Sequence, residues 1–204
     1  ISNNNQTANN WGKMYFTDAP GGAASAAFGA QFTDHTNDYA SLNFWTRGST
    51  GGATRMTITE NGNVGIGTTT PSSKLTISDT NRDMTSSLAN VEINSTSAQG
   101  AGVGGSLMFG GLYTTNQTVD GFAGLKGFKE NATDANTAGA FSISTRAAGG
   151  ALLEKVRVDS TGNMGIGTTT PLHMLSVTNP SGAGTNVYVA QFASAAGVNV
   201  PLVM

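Results

Sequence analysis

The sequence predicts an all-β protein made of tandem β-rich units, and three observations lead to this fold class. A ten-residue segment recurs 100 positions later in the chain. Polar and apolar residues alternate on both sides of each copy, which is the period of a half-buried strand. The composition is poor in helix formers: 28 of the 204 residues are glycine, and only 11% are charged, against about 25% in typical globular domains.

The recurring segment reads GNVGIGTTTP at residues 62–71 and GNMGIGTTTP at residues 162–171. Only one of the ten positions differs, which is far closer than chance allows even in a biased composition. Internal repeats of this kind define the organisation of a chain before any single motif does. We therefore expect two copies of one structural unit, about one hundred residues apart.

Alternating segments flank each copy and predict the strands. Residues 55–59 correspond to 155–159 upstream, and residues 74–78 correspond to 174–178 downstream. Residues 42–47 align with 141–146 at an offset of 99, so a one-residue insertion or deletion lies between. A looser similarity joins 12–16 to 105–109. Each pair predicts one strand in each unit.

The predicted organisation has five parts. A first β-unit covers residues 1–60 and is truncated at its start, a Gly-rich junction covers 61–78, and a second β-unit covers 79–160. A second junction covers 161–178, and residues 179–204 begin a third, truncated unit. Residues 187–192 are predicted as the first strand of that third unit, matching 88–93. We expect both ends of the chain to be cuts within a longer polypeptide.

The junction carries glycines on both sides of Ile66, at Gly65 and Gly67. Alternating glycines weaken an isolated strand and are expected where another backbone comes close. A threefold axis is such a place, with three copies of Ile66 at its centre. Parallel trimerisation would also close exposed strand edges and bury the sparse apolar residues between chains. This reasoning predicts an elongated, parallel homotrimer.

Several partners and functions are disfavoured by composition. The net charge of −2 gives no attraction to nucleic acid or to an anionic membrane. The absence of cysteine excludes disulfides and cysteine metal sites. The sequence contains no run of 18 apolar residues, so no membrane insertion is expected. We expect no cofactor.

Several segments resemble functional sites, and each has a simpler structural interpretation. Residues 65–68 lack the lysine of a phosphate-binding loop. Residues 34–38 (DHTND) carry oxygen ligands of the type that Ca²⁺ prefers, but a solvated hairpin loop is favoured, since the matching stretch 131–134 lacks the histidine. His35 and His173 lie in different units, so spacing supports no catalytic triad. The 12 acidic residues leave a glycosidase pair possible, yet no pair is singled out. No catalytic, cofactor-binding or metal-binding residue is assigned, and the chain is not expected to be an enzyme.

Aromatic residues are concentrated in the first unit. Alternation places Leu42 and Phe44 on one face of a strand, predicted to be core, and Trp45 on the other. For Trp45, packing against a neighbouring chain is favoured over stacking on a sugar. The aromatic residues of this unit are Trp11, Tyr15, Phe16, Tyr39, Phe44 and Trp45.

The segment 62–71, preceded by the alternating 56–59 and followed by 74–77, resembles the shaft repeats of phage tail fibres. Residues 102–111 and 123–131 resemble them as well. The resemblance implies a stiff extracellular homotrimer, part of a virion tail fibre, which carries a receptor-binding tip or binds a host glycan or protein receptor. Such proteins often end in an endosialidase-type intramolecular chaperone, for which residues 1–204 contain no segment.

Two other functions stay open. Similar repeats occur in bacterial surface fibres, so the alternative is a bacterial adhesin or extracellular filament. A glycan-depolymerising tailspike is less favoured, because it should show many β-helix coils and a clustered carboxylate pair.

Overall fold

A computed structural model describes residues 9–80, 84 and 89–179 of the chain. These residues form two six-stranded sheets and contain no α-helix, which confirms the all-β prediction. The chain divides into two compact units, Ile1–Glu92 and Ile93–Met204, and each contains one sheet. Residues 180–204, including the predicted strand at 187–192, lie outside the described residues.

The first sheet follows the chain from one edge to the other. Its strands are β1 (Asn10–Phe16), β2 (Ala26–Asp34), β3 (Tyr39–Gly48), β4 (Gly51–Ile58), β5 (Val64–Ile66) and β6 (Leu75–Ile77). Neighbours in sequence are neighbours in the sheet. All pairs are antiparallel except β5 and β6, which run parallel. The connection between β5 and β6 must therefore return along the sheet before β6 begins.

The second sheet has the same order. Its strands are β7 (Ser106–Leu112), β8 (Val119–Lys129), β9 (Gly139–Arg146), β10 (Leu152–Val158), β11 (Met164–Ile166) and β12 (Leu175–Val177). Only the last pair is parallel, as in the first sheet. The Gly-rich segment 61–78 contains the short strands β5 and β6, and the segment 161–178 contains β11 and β12. Each segment therefore forms the last two strands at one edge of its sheet.

The two copies of the ten-residue segment make the same backbone contacts. Gly67 N donates to the Arg55 carbonyl oxygen at 2.9 Å, and Gly167 N donates to the Lys155 carbonyl oxygen at 2.9 Å. The turns before them are closed alike, by Gly62 N to Thr59 O and by Gly162 N to Asp159 O. The near-identical sequences therefore adopt the same local structure.

One predicted strand is wrong in its described part. Residues 89–93 of the predicted strand 88–93 form no ladder. The segment passes beside the start of β7 instead: a Cβ at Gly105 would lie 1.6 Å from the Ile93 carbonyl oxygen. Val91 and Ile93 alternate but are both exposed, so no burial supports a strand at this position.

Candidate functional site

In most sheets of soluble proteins the apolar face is buried and the polar face is exposed. In the first sheet of this chain the apolar face is the more exposed of the two. Six apolar residues lie in register across all six strands and form one row: Met14, Phe28, Phe44, Met56, Ile66 and Ile77. Four of them are exposed, and Met56 and Ile77 are half-buried. The next row, on the opposite face, is mainly polar: Lys13, Gly29, Asn43, Thr57, Gly65 and Thr76. Asn43 and Thr57 are 1% exposed, whereas Phe28 and Phe44 are each 39% exposed.

The polar face is buried because the chain folds over it between β5 and β6. A Cβ added at Gly65 would lie 2.4 Å from the Thr68 carbonyl oxygen, so residue 68 lies directly against this face. Thr69, Thr70 and Pro71 then line an open groove together with Asn43 and Thr57. The buried polar groups are paired, as burial requires: the Thr57 hydroxyl donates to Asn43 Oδ1 at 2.7 Å.

The apolar face is continuous across the sheet. The rings of Phe16 and Phe28 are stacked with centroids 6.1 Å apart, and those of Phe28 and Phe44 are 6.4 Å apart. Leu42, on the same face, is also 39% exposed. The prediction that Leu42 and Phe44 lie in a core is therefore wrong for the single chain. Asn43, which lies between them in sequence, occupies the interior instead.

The second sheet repeats this arrangement. Its apolar row is Leu107, Leu125, Ile143, Val156, Ile166 and Val177. Leu107 and Ile166 are exposed, as are Phe141 and Leu153 on the same face. On the opposite face, Ser142 is buried. The other four residues of the apolar row are half-buried, so the second unit shows the same inversion less strongly than the first.

An ion pair occupies the polar face of the second sheet where the first sheet has Thr57. Arg157 Nε and Nη2 donate to the two carboxylate oxygens of Glu154 at 2.6 and 2.9 Å. The bond to Glu154 raises the pKa of Arg157 above its usual range. The guanidinium carbon also lies 5.0 Å from the centre of the Phe128 ring. This bidentate geometry is the strong form of a carboxylate–arginine contact.

The junction glycines are explained within one chain. Gly65 admits the Thr68 carbonyl, and a Cβ at Gly67 would lie 1.9 Å from the Ser78 carbonyl oxygen. Gly67 also has a φ of 74°, a conformation that glycine adopts without strain. The close backbones that these glycines admit belong to the same chain. They therefore give no support for a threefold axis, and the trimer prediction depends on other features.

The acidic loop 34–38 is a hairpin between β2 and β3. Asp34 Oδ1 accepts from the backbone N of Thr36 at 2.7 Å, and Asn37 Nδ2 donates to Oδ2 at 2.8 Å. The bond to the Asn37 side chain is the largest cause of a lowered pKa of Asp34. The Asp34 carboxylate therefore stabilises the hairpin turn through these hydrogen bonds. Among residues 9–80, 84 and 89–179, no group of three His, Asp or Glu side chains could hold a metal ion.

The two histidines and Trp45 have the following surroundings within their own units. The His35 ring stacks on Phe32 with centroids 5.5 Å apart, and His173 lies in the other unit, in the loop before β12. The Trp45 ring lies over Gly52 of the neighbouring strand, since a Cβ there would be 1.5 Å from Trp45 Cζ2. Its predicted contact with another chain stays a prediction.

Within the described part of the chain, no helix is long and apolar enough to cross a membrane. No model of a known protein family matches this chain, and no curated protein matches it. The resemblance to tail-fibre repeats therefore stays a prediction, and the proposals below depend on the geometry of the two sheets.

Proposed function

We propose that this chain is a structural segment of an extracellular fibre shaft, in which three parallel copies assemble through their apolar sheet faces. One observation carries the proposal: each sheet leaves its apolar row exposed or half-buried, while the fully buried members of the opposite row are polar residues or glycine. Soluble monomers rarely expose contiguous apolar patches larger than a few hundred Å². A surface of this kind, present on both units, favours burial against a partner.

The chemistry of the apolar rows favours copies of the same chain as that partner. The apolar row of each sheet contains no charged or hydrogen-bonding side chain. It therefore has no polar groups by which a different protein would be recognised specifically. The same row recurs in both units, so parallel copies in register would bring like rows together along the whole chain. Most soluble oligomers are homo-oligomers with closed symmetry, which also favours copies of this chain as the partner.

The number three and the biological setting come from the resemblance of residues 62–71 to tail-fibre shaft repeats. A shaft of this type positions a receptor-binding tip for host attachment, on a virion or otherwise outside the cell. Its partners would be itself and, at other parts of the fibre, a host glycan or protein receptor. Low charge and rigid, Thr-rich strands suit such a spacer, because few long side chains need to be ordered.

The shaft role is tested by length. A chain in which residues 93–179 are duplicated in tandem should form particles of unchanged width and greater length in negative-stain electron micrographs. A third copy of the segment should add the same increment again. Particles that grow in all dimensions, or that keep their length, would contradict the proposal.

A further inference from the structure

An open pocket lies at the end of the second sheet, on the side where the β7–β8 and β9–β10 hairpins turn. Its volume is about 360 Å³, at the small end of the ~300–1,000 Å³ range of small-molecule sites. The lining residues are Tyr113, Asp120, Phe122, Arg146 and the turn at 147–150.

The polar part of the pocket is a fixed pair of opposite charges. Arg146 Nη1 bonds to Asp120 Oδ2, and Asp120 Oδ1 accepts from the backbone N of Gly121 at 2.7 Å. Both carboxylate oxygens are thus oriented by the protein. Each side chain is still about one third exposed. The pair therefore offers further N–H donors and oxygen lone pairs side by side, without a net charge.

Two aromatic rings form the apolar part. Tyr113 is 60% exposed and Phe122 is 45% exposed. Phe122 is held against its own sheet, since a Cβ at Gly111 would lie 3.3 Å from Phe122 Cε2. Tyr113 is held at the hairpin by its backbone N, which donates to the Thr118 carbonyl oxygen at 3.0 Å. Both rings are placed by the sheet and remain accessible.

The third wall is a tight turn of small residues. Gly150 N donates to the Ala147 carbonyl oxygen at 3.0 Å, and Gly149 has a φ of 68°. The side chains from 147 to 150 are only methyl groups or hydrogens. This turn therefore leaves space beside Arg146 that larger residues would fill.

We propose that this pocket binds a neutral pyranose unit of a polysaccharide. A sugar ring presents C–H groups on its faces, which pack on exposed aromatic rings, and adjacent hydroxyls at its edge, which both donate and accept. The Asp120–Arg146 pair supplies both kinds of partner at hydrogen-bonding spacing. An anionic sugar would meet the Asp120 carboxylate, and a cationic one would meet the Arg146 guanidinium. A neutral ring avoids both repulsions.

The pocket is a feature of the second unit. Arg47 aligns with Arg146 at the offset of 99, but Arg47 Nε donates to the Ala24 carbonyl oxygen at 2.9 Å. Arg146 lies on the face opposite the apolar row, because it alternates with Thr145 of the exposed face. Beside Phe122 a bulge between Phe109 and Gly110 interrupts the alternation, so the proposed site belongs to the hairpin end of the sheet. Its accessibility in an assembled fibre rests on the proposed function, in which the apolar faces are the ones buried.

Saturation-transfer NMR on the whole chain tests the site, with the methyl glycosides of glucose, galactose and mannose as neutral probes and methyl glucuronoside as the anionic probe. We expect transfer to at least one neutral glycoside and little to the glucuronoside. Tyr113→Leu and Asp120→Asn should each weaken binding at least tenfold. Tyr39→Leu, which removes an exposed aromatic ring from the other unit, should leave it unchanged.

Circular dichroism of each variant checks its fold, and Phe122→Leu, which keeps an apolar side chain at that position, is a second test of the aromatic wall. The inference is overturned if no neutral glycoside receives transfer, if the glucuronoside is preferred, or if folded variants bind as well as the parent chain. Light scattering of the same samples separates the two proposals. Sugar binding by a monomer would contradict the trimer alone, and a trimer without sugar binding would contradict the pocket alone.

Discussion

The Thr57 hydroxyl donates a 2.7 Å hydrogen bond to Asn43 Oδ1, and both side chains are 1% exposed. They are the largest fully buried side chains in the described part of the chain. Their strand neighbours Leu42 and Phe44 are each 39% exposed. This inversion is the central structural feature of the molecule. A sheet that buries its polar row and exposes its apolar row is expected to be completed by other chains.

Replacing Thr57 by valine should destabilise the protein by about 1–3 kcal/mol, because the buried Asn43 amide oxygen loses its hydrogen-bond donor. The measurement is urea unfolding at one fixed protein concentration. Thr54→Val, in the same strand, is the matched control. Its free energy of unfolding should stay within about 0.5 kcal/mol of that of the parent chain. Equal stability of the two variants would show that the Asn43–Thr57 bond is unimportant.

Alanine at Gly65 or Gly165 should cost about 1–3 kcal/mol each, since the new methyl group would meet the carbonyl oxygen of Thr68 or Thr168. The Cβ positions lie 2.4 and 2.5 Å from those oxygens. Gly127→Ala is the control, because a Cβ there meets nothing within 4 Å. The unfolding temperature of Gly127→Ala should be well above the unfolding temperatures of both junction variants. The reverse order would contradict the intrachain role of these glycines.

The turn at the second junction should be sensitive to acid, and the turn at the first should not. Asp159 Oδ1 accepts from Thr161 Oγ1 at 2.7 Å and from Asn163 N at 2.8 Å, and the bond to the Thr161 side chain is the main cause that lowers the pKa of Asp159. The carboxylate form is favoured by folding. Its contribution to the free energy of unfolding is therefore present above the unfolded pKa of about 3.9. This contribution is lost as the pH falls through the lower pKa of the folded state.

In the first turn, Thr59 Oγ1 accepts from Asn63 N at 3.2 Å and does not titrate in this range. Asp159→Thr should thus reduce the loss of stability between neutral pH and about pH 2. Thr59→Asp should increase it. The pKa of Asp34 is also lowered, but Asp34 is present in every variant and cancels in the comparison. Urea midpoints that shift with pH equally in all three proteins would contradict this account.

A polar residue in the apolar row should weaken assembly without unfolding the chain. Phe44→Ser removes the ring that stacks on Phe28 and is expected to shift the protein toward smaller species on dilution. Tyr39→Ser removes an exposed ring at the start of the same strand and should leave assembly unchanged. Sedimentation velocity over a range of concentrations compares the two. A Phe44→Ser protein that assembles as tightly as the parent would contradict the proposed interface.

Much of the strand pattern is visible in the sequence, since β4 and β10 alternate cleanly and lie beside the repeated segment. The sequence does not predict β2, because its alternation is interrupted by Gly29 and several alanines, which pack closely without a strong hydrophobic signal. Alternation places Leu42 and Asn43 on opposite faces of the sheet, but it does not predict which of the two faces is buried. The return of residues 68–71 over the polar face decides it, and a tertiary contact of that kind has no local signature.

The pocket was missed for the same reason. Asp120 and Arg146 are 26 positions apart in sequence, and register alone brings them together. Tyr113 and Phe122 lie outside the aromatic cluster of the first unit, so composition pointed to the other sheet.

Multi-angle light scattering of the purified chain tests the central claim most directly. Assembly through the apolar faces predicts a single species of three times the chain mass of 20.7 kDa, stable on dilution. A folded species at 20.7 kDa itself, with both apolar faces left in water, would contradict the account.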